Sequence, residues 1–205
     1  MTLDTLLALA SFAFVSSITP GPNNLMLMAS GTNFGFMRTV PHLMGVALGF
    51  VLMLVLVGAG VATVFEAVPG AANALKVASV LYLLYLAWKV ATAQPPSGNP
   101  TSARPLTFLQ AAAFQWVNPK AWTMALTAAA VYVPEEGSGF ALLVVALVFG
   151  AVNLPSVTIW ALVGVRMRRL LDRPRTLRAF NVGAALLLIA SLYPVLSADL
   201  SALPQ

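Results

Sequence analysis

The sequence has no cysteine and a single histidine, His42. Without cysteine there are no disulfides, no thiolate metal sites and no dithiol redox chemistry. One histidine leaves no room for a histidine metal cluster. Charge is scarce too. Only 8% of the 205 residues are Asp, Glu, Lys or Arg, against about 25% in an average globular domain. So few charges could not cover a soluble surface, which excludes a cytosolic enzyme, a nucleic-acid binder and a disordered tail. The net charge of +5 is therefore no nucleic-acid footprint. What the chain does have is apolar sequence, with 60% hydrophobic residues and a mean hydropathy of +0.88. The expectation is an all-α integral membrane protein, a single membrane domain over 1–205, with no cofactor.

A spanning helix needs about 20 mostly apolar residues. Six stretches qualify, at about 4–29, 39–64, 71–91, 107–133, 138–165 and 177–197. The opening Met1-Thr-Leu-Asp4 lacks the positive charge of a signal peptide, so the first stretch is expected to be a retained span. A Pro/Gly/Ser-rich linker at about 94–106 splits the chain into halves of three spans, about 1–93 and 107–205. The connections after spans one, three and five carry Arg38, Lys89, Arg104, Arg166, Arg168, Arg169, Arg173, Arg175 and Arg178. Asp4, Glu66, Glu135, Glu136 and Asp199 fall on the other side. Basic connections stay in the cytoplasm, so both termini are expected to be periplasmic. The arginine cluster 166–178 is a topology determinant first, and could also hold anionic membrane lipid.

Three spans per half is an odd number, so the second half must cross the membrane inverted. Matching punctuation supports a repeat. Phe14-Val-Ser-Ser-Ile-Thr19-Pro20 in span one resembles Phe114-Gln-Trp-Val-Asn118-Pro119 in span four. Leu75-Lys76 and Leu177-Arg178 open spans three and six alike. At about 1.5 Å per residue, both prolines fall near the centre of a core about 30 Å thick. Two inverted three-helix repeats with broken helices one and four, meeting at the midplane, are the architecture of many secondary transporters.

The breaks are where chemistry is expected. Proline removes a backbone donor, and the freed carbonyls are tolerated only where they face protein or water. Thr19-Pro20 and Asn118-Pro119 each read as an N-cap followed by proline at the first helical position. A half-helix starting at each would point its N–H groups at a substrate carboxylate. Gly21 lets backbone approach a ligand, Pro22 continues the polar run, and Asn23 and Asn24 add neutral donors and acceptors. Lys120 is the only charge deep in a span. It either provides a point charge or proton-accepting amine for a substrate, or bonds the carbonyls freed by a break. Asn153, beside a third expected break at Pro155, either bonds another helix or lines the pathway. His42, near the cytoplasmic end of span two, reads as interfacial rather than as a proton relay. Gly45-x-x-x-Gly49 offers a close-packing face, for internal packing or for a homodimer.

These residues carry a family resemblance. Thr19-Pro20-Gly21-Pro22-Asn23-Asn24, Asn33-Phe-Gly35-Phe-x-Arg38, Gly45-x-x-x-Gly49, Tyr82-x-x-Tyr85-Leu86-Ala87-Trp88-Lys89 and Phe114-x-x-x-Asn118-Pro119-Lys120 resemble the LysE/RhtB family of amino-acid exporters. Within it they look most like the cysteine/O-acetylserine exporter branch. The resemblance covers nearly the whole chain. It implies a bacterial inner-membrane protein, not an enzyme, that exports amino acids or close derivatives under the proton gradient. It carries over Pro20, Gly21, Pro22, Asn23, Asn24, Asn118, Pro119 and Lys120. One departure matters: some relatives place an aspartate in span five, where this chain has Asn153. No carboxylate lies deep in any expected span, which argues against a dedicated exporter of lysine or arginine. The expectation is export of a small neutral amino acid held by Thr19 to Asn24, Asn118 to Lys120 and Asn153. The rival is a non-transporting scaffold or lipid-binding module, for which the break residues would be dispensable.

Overall fold

In the computed structural model, the described residues are 1–68, 70–93, 104–134, 138–168, 170–171 and 173–193. They are helical, with no strand among them. The helices are α1 (Leu3–Ile18), α2 (Pro22–Phe34), α3 (Phe36–Gly58), α4 (Val64–Ala67), α5 (Ala71–Ala91), α6 (Phe108–Phe114), α7 (Pro119–Tyr132), α8 (Ser138–Arg168) and α9 (Pro174–Ala190). Short 3-10 turns lie at Val61–Thr63 and Gln115–Val117.

Local sequence accounts for the ends. Thr2 caps α1, its hydroxyl accepting from the Thr5 amide, with Asp4 in the first turn favouring the positive end of the dipole. Thr107 and Gln110 form a reciprocal capping box at the start of α6. Gly35 alone joins α2 to α3, at φ 81°, where a side chain would be strained.

Three helices are long and apolar enough to cross a membrane: Phe36–Gly58, Ala71–Ala91 and Gly139–Arg168. The pair α1 and α2, bent by 54° at its break, makes a fourth if it is one span. The fourth expected span is two pieces, α6 and α7, joined by a 3-10 turn. The sixth is α9, 17 residues long; the expected residues 194–197 lie outside the described ones. Pro155, expected to mark a third break, does not interrupt α8, which runs through it for 31 residues. Ser156 donates to Val152 O at 2.7 Å beside it, binding a carbonyl next to the missing donor.

At the centre is α2, with eleven of its thirteen residues buried. A helix buried all round needs close neighbours, and glycine supplies them. Gly31 meets the backbone of Ala161, and Gly164 meets the backbone of Met28, so α2 and α8 touch main chain to main chain. Thr32 donates to Gly164 O at 2.9 Å across that contact. The Gly45-x-x-x-Gly49 face of α3 is likewise filled from within: Gly45 lies on Phe108 O and Ala111, and Gly49 on Ala112. Of the two uses expected for that motif, the structure shows internal packing against α6.

Two apolar clusters flank α2. One gathers Leu25, Leu27, Leu43, Leu83, Phe114 and Leu188; the other gathers Leu9, Phe50, Met53, Leu54, Met124 and Phe149. Large side chains such as Leu81, Trp88, Leu109, Leu147 and Leu186 point outward and are exposed. That inversion of the usual surface suits a hydrocarbon solvent.

Candidate functional site

The two helix breaks meet between the apolar clusters. Around them lies a cavity of about 20 Å³, lined by Ser17, Gly21, Asn23, Asn24, Asn118, Lys120 and Asn153, with Phe50, Met124 and Val157 as apolar walls. Room for a water needs about 10–15 Å³. In this structure the cavity therefore has room for about one water.

The first break differs from expectation by two residues. Thr19 ends α1 rather than opening α2, and the chain stays extended to Gly21, the N-cap, with Pro22 at the first helical position. Proline at Pro22 lacks the N–H that would be unsatisfied there anyway. The second break follows expectation. Asn118 caps α7, its Oδ1 accepting from the Lys120 amide at 3.1 Å, and Pro119 opens the helix.

Where do the carbonyls freed at the first break go? In hydrocarbon each orphan would cost several kcal/mol. Ser17 O accepts from Asn24 Nδ2 at 2.8 Å. Ile18 O accepts from the Trp160 indole at 3.0 Å. Thr19 O accepts from Asn24 Nδ2 and Lys120 Nζ, both at 2.7 Å. Pro20 O accepts from Lys120 Nζ at 3.3 Å. Lys120 Nζ also reaches Thr19 Oγ1 at 2.8 Å. All four carbonyls are met, and the second half of the chain meets three of them.

Gly21 has a reason here that its backbone does not supply. Its φ of −176° suits any residue. A Cβ there would lie 2.8 Å from Lys120 Cδ, so glycine makes room for the lysine stem. Asn23 and Gln115 clasp across the breaks as a reciprocal amide pair, at 2.8 and 3.2 Å. Asn153 donates to Ser17 Oγ at 3.1 Å, while its Oδ1 is buried with no partner. Asn153 thus bonds another helix, one of its two expected uses, and also lines this cavity.

Of the ten residues singled out from sequence, Gly21, Asn23, Asn24, Asn118, Lys120 and Asn153 line the cavity, Thr19 and Pro20 are exposed at the break and accept from Lys120 Nζ, and Pro22 and Pro119 start helices. Sequence reasoning missed Ser17, Gln115 and Trp160. Gln115 was visible as an amide inside an apolar run; nothing in the sequence marked Trp160. His42 is enclosed within the protein at 2% exposure, in a second cavity away from the breaks. Among the described residues there is no group of His, Cys, Asp or Glu that could hold a metal ion.

Apolar helices of spanning length around a polar pocket made by broken helices define a multi-pass membrane transporter in class. Residues 14–191 match the family model described as LysE type translocator, and the chain belongs to that family. It is a transporter and not an enzyme. The chain is 31% identical over 191 residues to the cysteine/O-acetylserine efflux protein of Escherichia coli strain K12, covering 92% of this chain and 96% of the relative. The protein of that name from Shigella flexneri matches with the same identity and coverage. No solved structure matches.

Proposed function

We propose that the protein is a secondary exporter of small neutral amino acids or close derivatives across the bacterial inner membrane. The observation that carries this reading is the meeting of the two breaks, with Lys120 Nζ on Thr19 O and Oγ1 and a partnerless Asn153 Oδ1 in the same pocket. Lys120 is the one ionisable group in that lining. A substrate carboxylate would draw its ammonium from the Thr19 carbonyl, aided by the α2 and α7 N-termini. Asn153 Oδ1 and the released Thr19 carbonyl would then accept from the substrate ammonium. A cationic side chain would find no carboxylate in the lining, so neutral substrates are favoured. The relatives named for cysteine and O-acetylserine efflux point to substrates of this size and charge.

The reading includes six spans as two inverted repeats, about 1–93 and 107–205, with both termini periplasmic and the basic connections cytoplasmic. It also includes proton coupling, with Lys120 as the one group in the pocket able to carry a proton. Alternating access would open the pocket to one side and then the other by rocking one repeat on the other.

The test is export from bacterial cells loaded with amino acids as dipeptides. Selective appearance of cysteine, O-acetylserine or another small neutral amino acid in the medium is expected. The Lys120→Met variant, inserted at normal levels, should export none of it. Normal export by that variant would sink the site assignment, and selective export of lysine or arginine would refute the charge argument.

A further inference from the structure

The far end of α2 holds a second cavity, of about 240 Å³. Asn23 lines the first cavity and Asn33 the second, ten residues apart on one helix, so the two are about 15 Å apart. The larger one has the volume of roughly eight waters, counting about 30 Å³ for each. Its described walls are mostly apolar, with Met26, Phe34, Leu86 and Leu106 among them.

The polar side chains in those walls have partners, with one exception. Ser30 bonds Thr39 at 2.9 Å. Asn33 uses both halves of its amide: Nδ2 donates to Ala29 O and Asn181 Oδ1 at 2.8 Å each, and Oδ1 accepts from Asn181 Nδ2 at 3.0 Å. Thr92 donates to Trp88 O at 2.8 Å. Lys89 lies over the Tyr85 ring at 5.8 Å, and Arg104 has an interaction of its own. His42 is the exception. Its ring is 2% exposed, and neither Nδ1 nor Nε2 has a hydrogen-bond partner. Buried polar atoms are normally satisfied, and an imidazole with nothing to bond is worse than a leucine of similar size. The unmet chemistry is specific. A neutral imidazole presents one N–H donor and one acceptor nitrogen, so a group that answers both must donate and accept. A hydroxyl or a primary amide does so; a carboxylate only accepts and an ammonium only donates. The walls ask for an apolar body besides. A concave, mostly apolar cavity with a few polar groups is the usual form of a small-molecule site.

We propose that this cavity is a second binding site, for a small uncharged molecule carrying a primary amide or a hydroxyl on a short apolar body. His42 both donates to and accepts from that group, and the apolar walls receive the body. The site is separate from the helix breaks, and its occupation does not rest on the export reading.

His42 is the only histidine in the chain, so an isotope label on histidine gives a single imidazole in the NMR spectrum. The full-length protein in detergent micelles should be titrated with propionamide, and in parallel with propionate and propylammonium, which share its body and differ in charge. Propionamide is expected to shift both ring nitrogens saturably, in the wild type and Lys120→Met alike, and to bind more tightly than either charged probe. Calorimetry on His42→Leu should show propionamide binding weakened by about tenfold, the loss of two neutral hydrogen bonds. His42→Gln, which keeps a donor and an acceptor, should stay within about threefold of the wild type. Without ligand, His42→Leu should melt no lower than the wild type; a lower melting temperature would mean a ring already satisfied, and would overturn the proposal. Ring nitrogens that no probe moves would overturn it too, leaving the cavity to water. So would tighter binding of propionate or propylammonium, equal affinity in the wild type and His42→Leu, or binding abolished by Lys120→Met, which would place the ligand at the breaks.

Discussion

At the scale of single residues, Lys120 is held by the break it would serve. An ammonium has three protons to donate, and Lys120 Nζ directs them at Thr19 O, Thr19 Oγ1 and Pro20 O. These bonds close the first break against the second. On the proposed reading, substrate would compete for the same donor, so the closed state and the loaded state would exclude each other. Gly21→Ala tests this. Its Cβ would push on Lys120 Cδ, a flexible stem that moves easily. The variant should lose little stability, under about 1 kcal/mol, because no backbone must shift. Its export should fall severalfold as the lysine leaves the Thr19 carbonyl. Thermal unfolding in detergent beside the dipeptide-loading assay reads both; a large drop in melting temperature with export intact would contradict the account. Proline, threonine and lysine were all legible as a site from sequence, because a charge and a polar run inside apolar spans cost too much to be decoration. Which carbonyls Lys120 bonds across the breaks was not legible, because its partners lie about a hundred positions away.

At the scale of elements, α2 and α8 form the axis of the molecule. Their contact is made by glycines, and it fails if either gains a side chain. Gly164→Val is expected to destabilise the protein by about 1–3 kcal/mol or more, because its Cβ meets the backbone of Met28, which cannot step aside. Gly183→Val, with open space at its Cβ, is the control and should unfold close to the wild type. Equal melting of the two variants would remove the axis argument. The length of the apolar runs located α3, α5 and α8 well, since long apolar runs permit little else in a membrane. Pro155 misled in one respect. A proline in sequence announces a lost donor, but whether the helix breaks depends on neighbours able to hold it, and α8 is held by α2, α3 and α1. Pro20 and Pro22 together leave two residues without amides on either side of Gly21, and there the helix does part.

At the scale of the whole molecule, the open question of orientation has a direct test that the composition makes easy. With no native cysteine, one introduced cysteine is the only thiol in the chain. Thr2→Cys should react with a membrane-impermeant maleimide added to intact spheroplasts, and Arg173→Cys should react only after lysis. The reverse pattern would invert the proposed topology. The same background allows Ser17→Cys, in the cavity lining, to report which side reaches the breaks; protection from both sides is expected for the state seen here, since Ser17 is buried. Substrate should restore labelling from one side if the repeats rock.

Composition and order of residues alone determined the membrane class, the all-helical fold, the family and the two polar breaks. Each of these follows from what hydrocarbon tolerates, a local rule that a sequence states openly. Tertiary structure decided the rest. It showed that the breaks touch, that carbonyls 17 to 20 find donors from Asn24, Lys120 and Trp160, and that Gly45 and Gly49 face α6. It also placed His42 inside the protein, with both nitrogens unmet. Those are pairings between residues about a hundred positions apart or on separate helices. No local pattern encodes them, because a hydrogen bond or a close backbone contact depends on how whole helices pack.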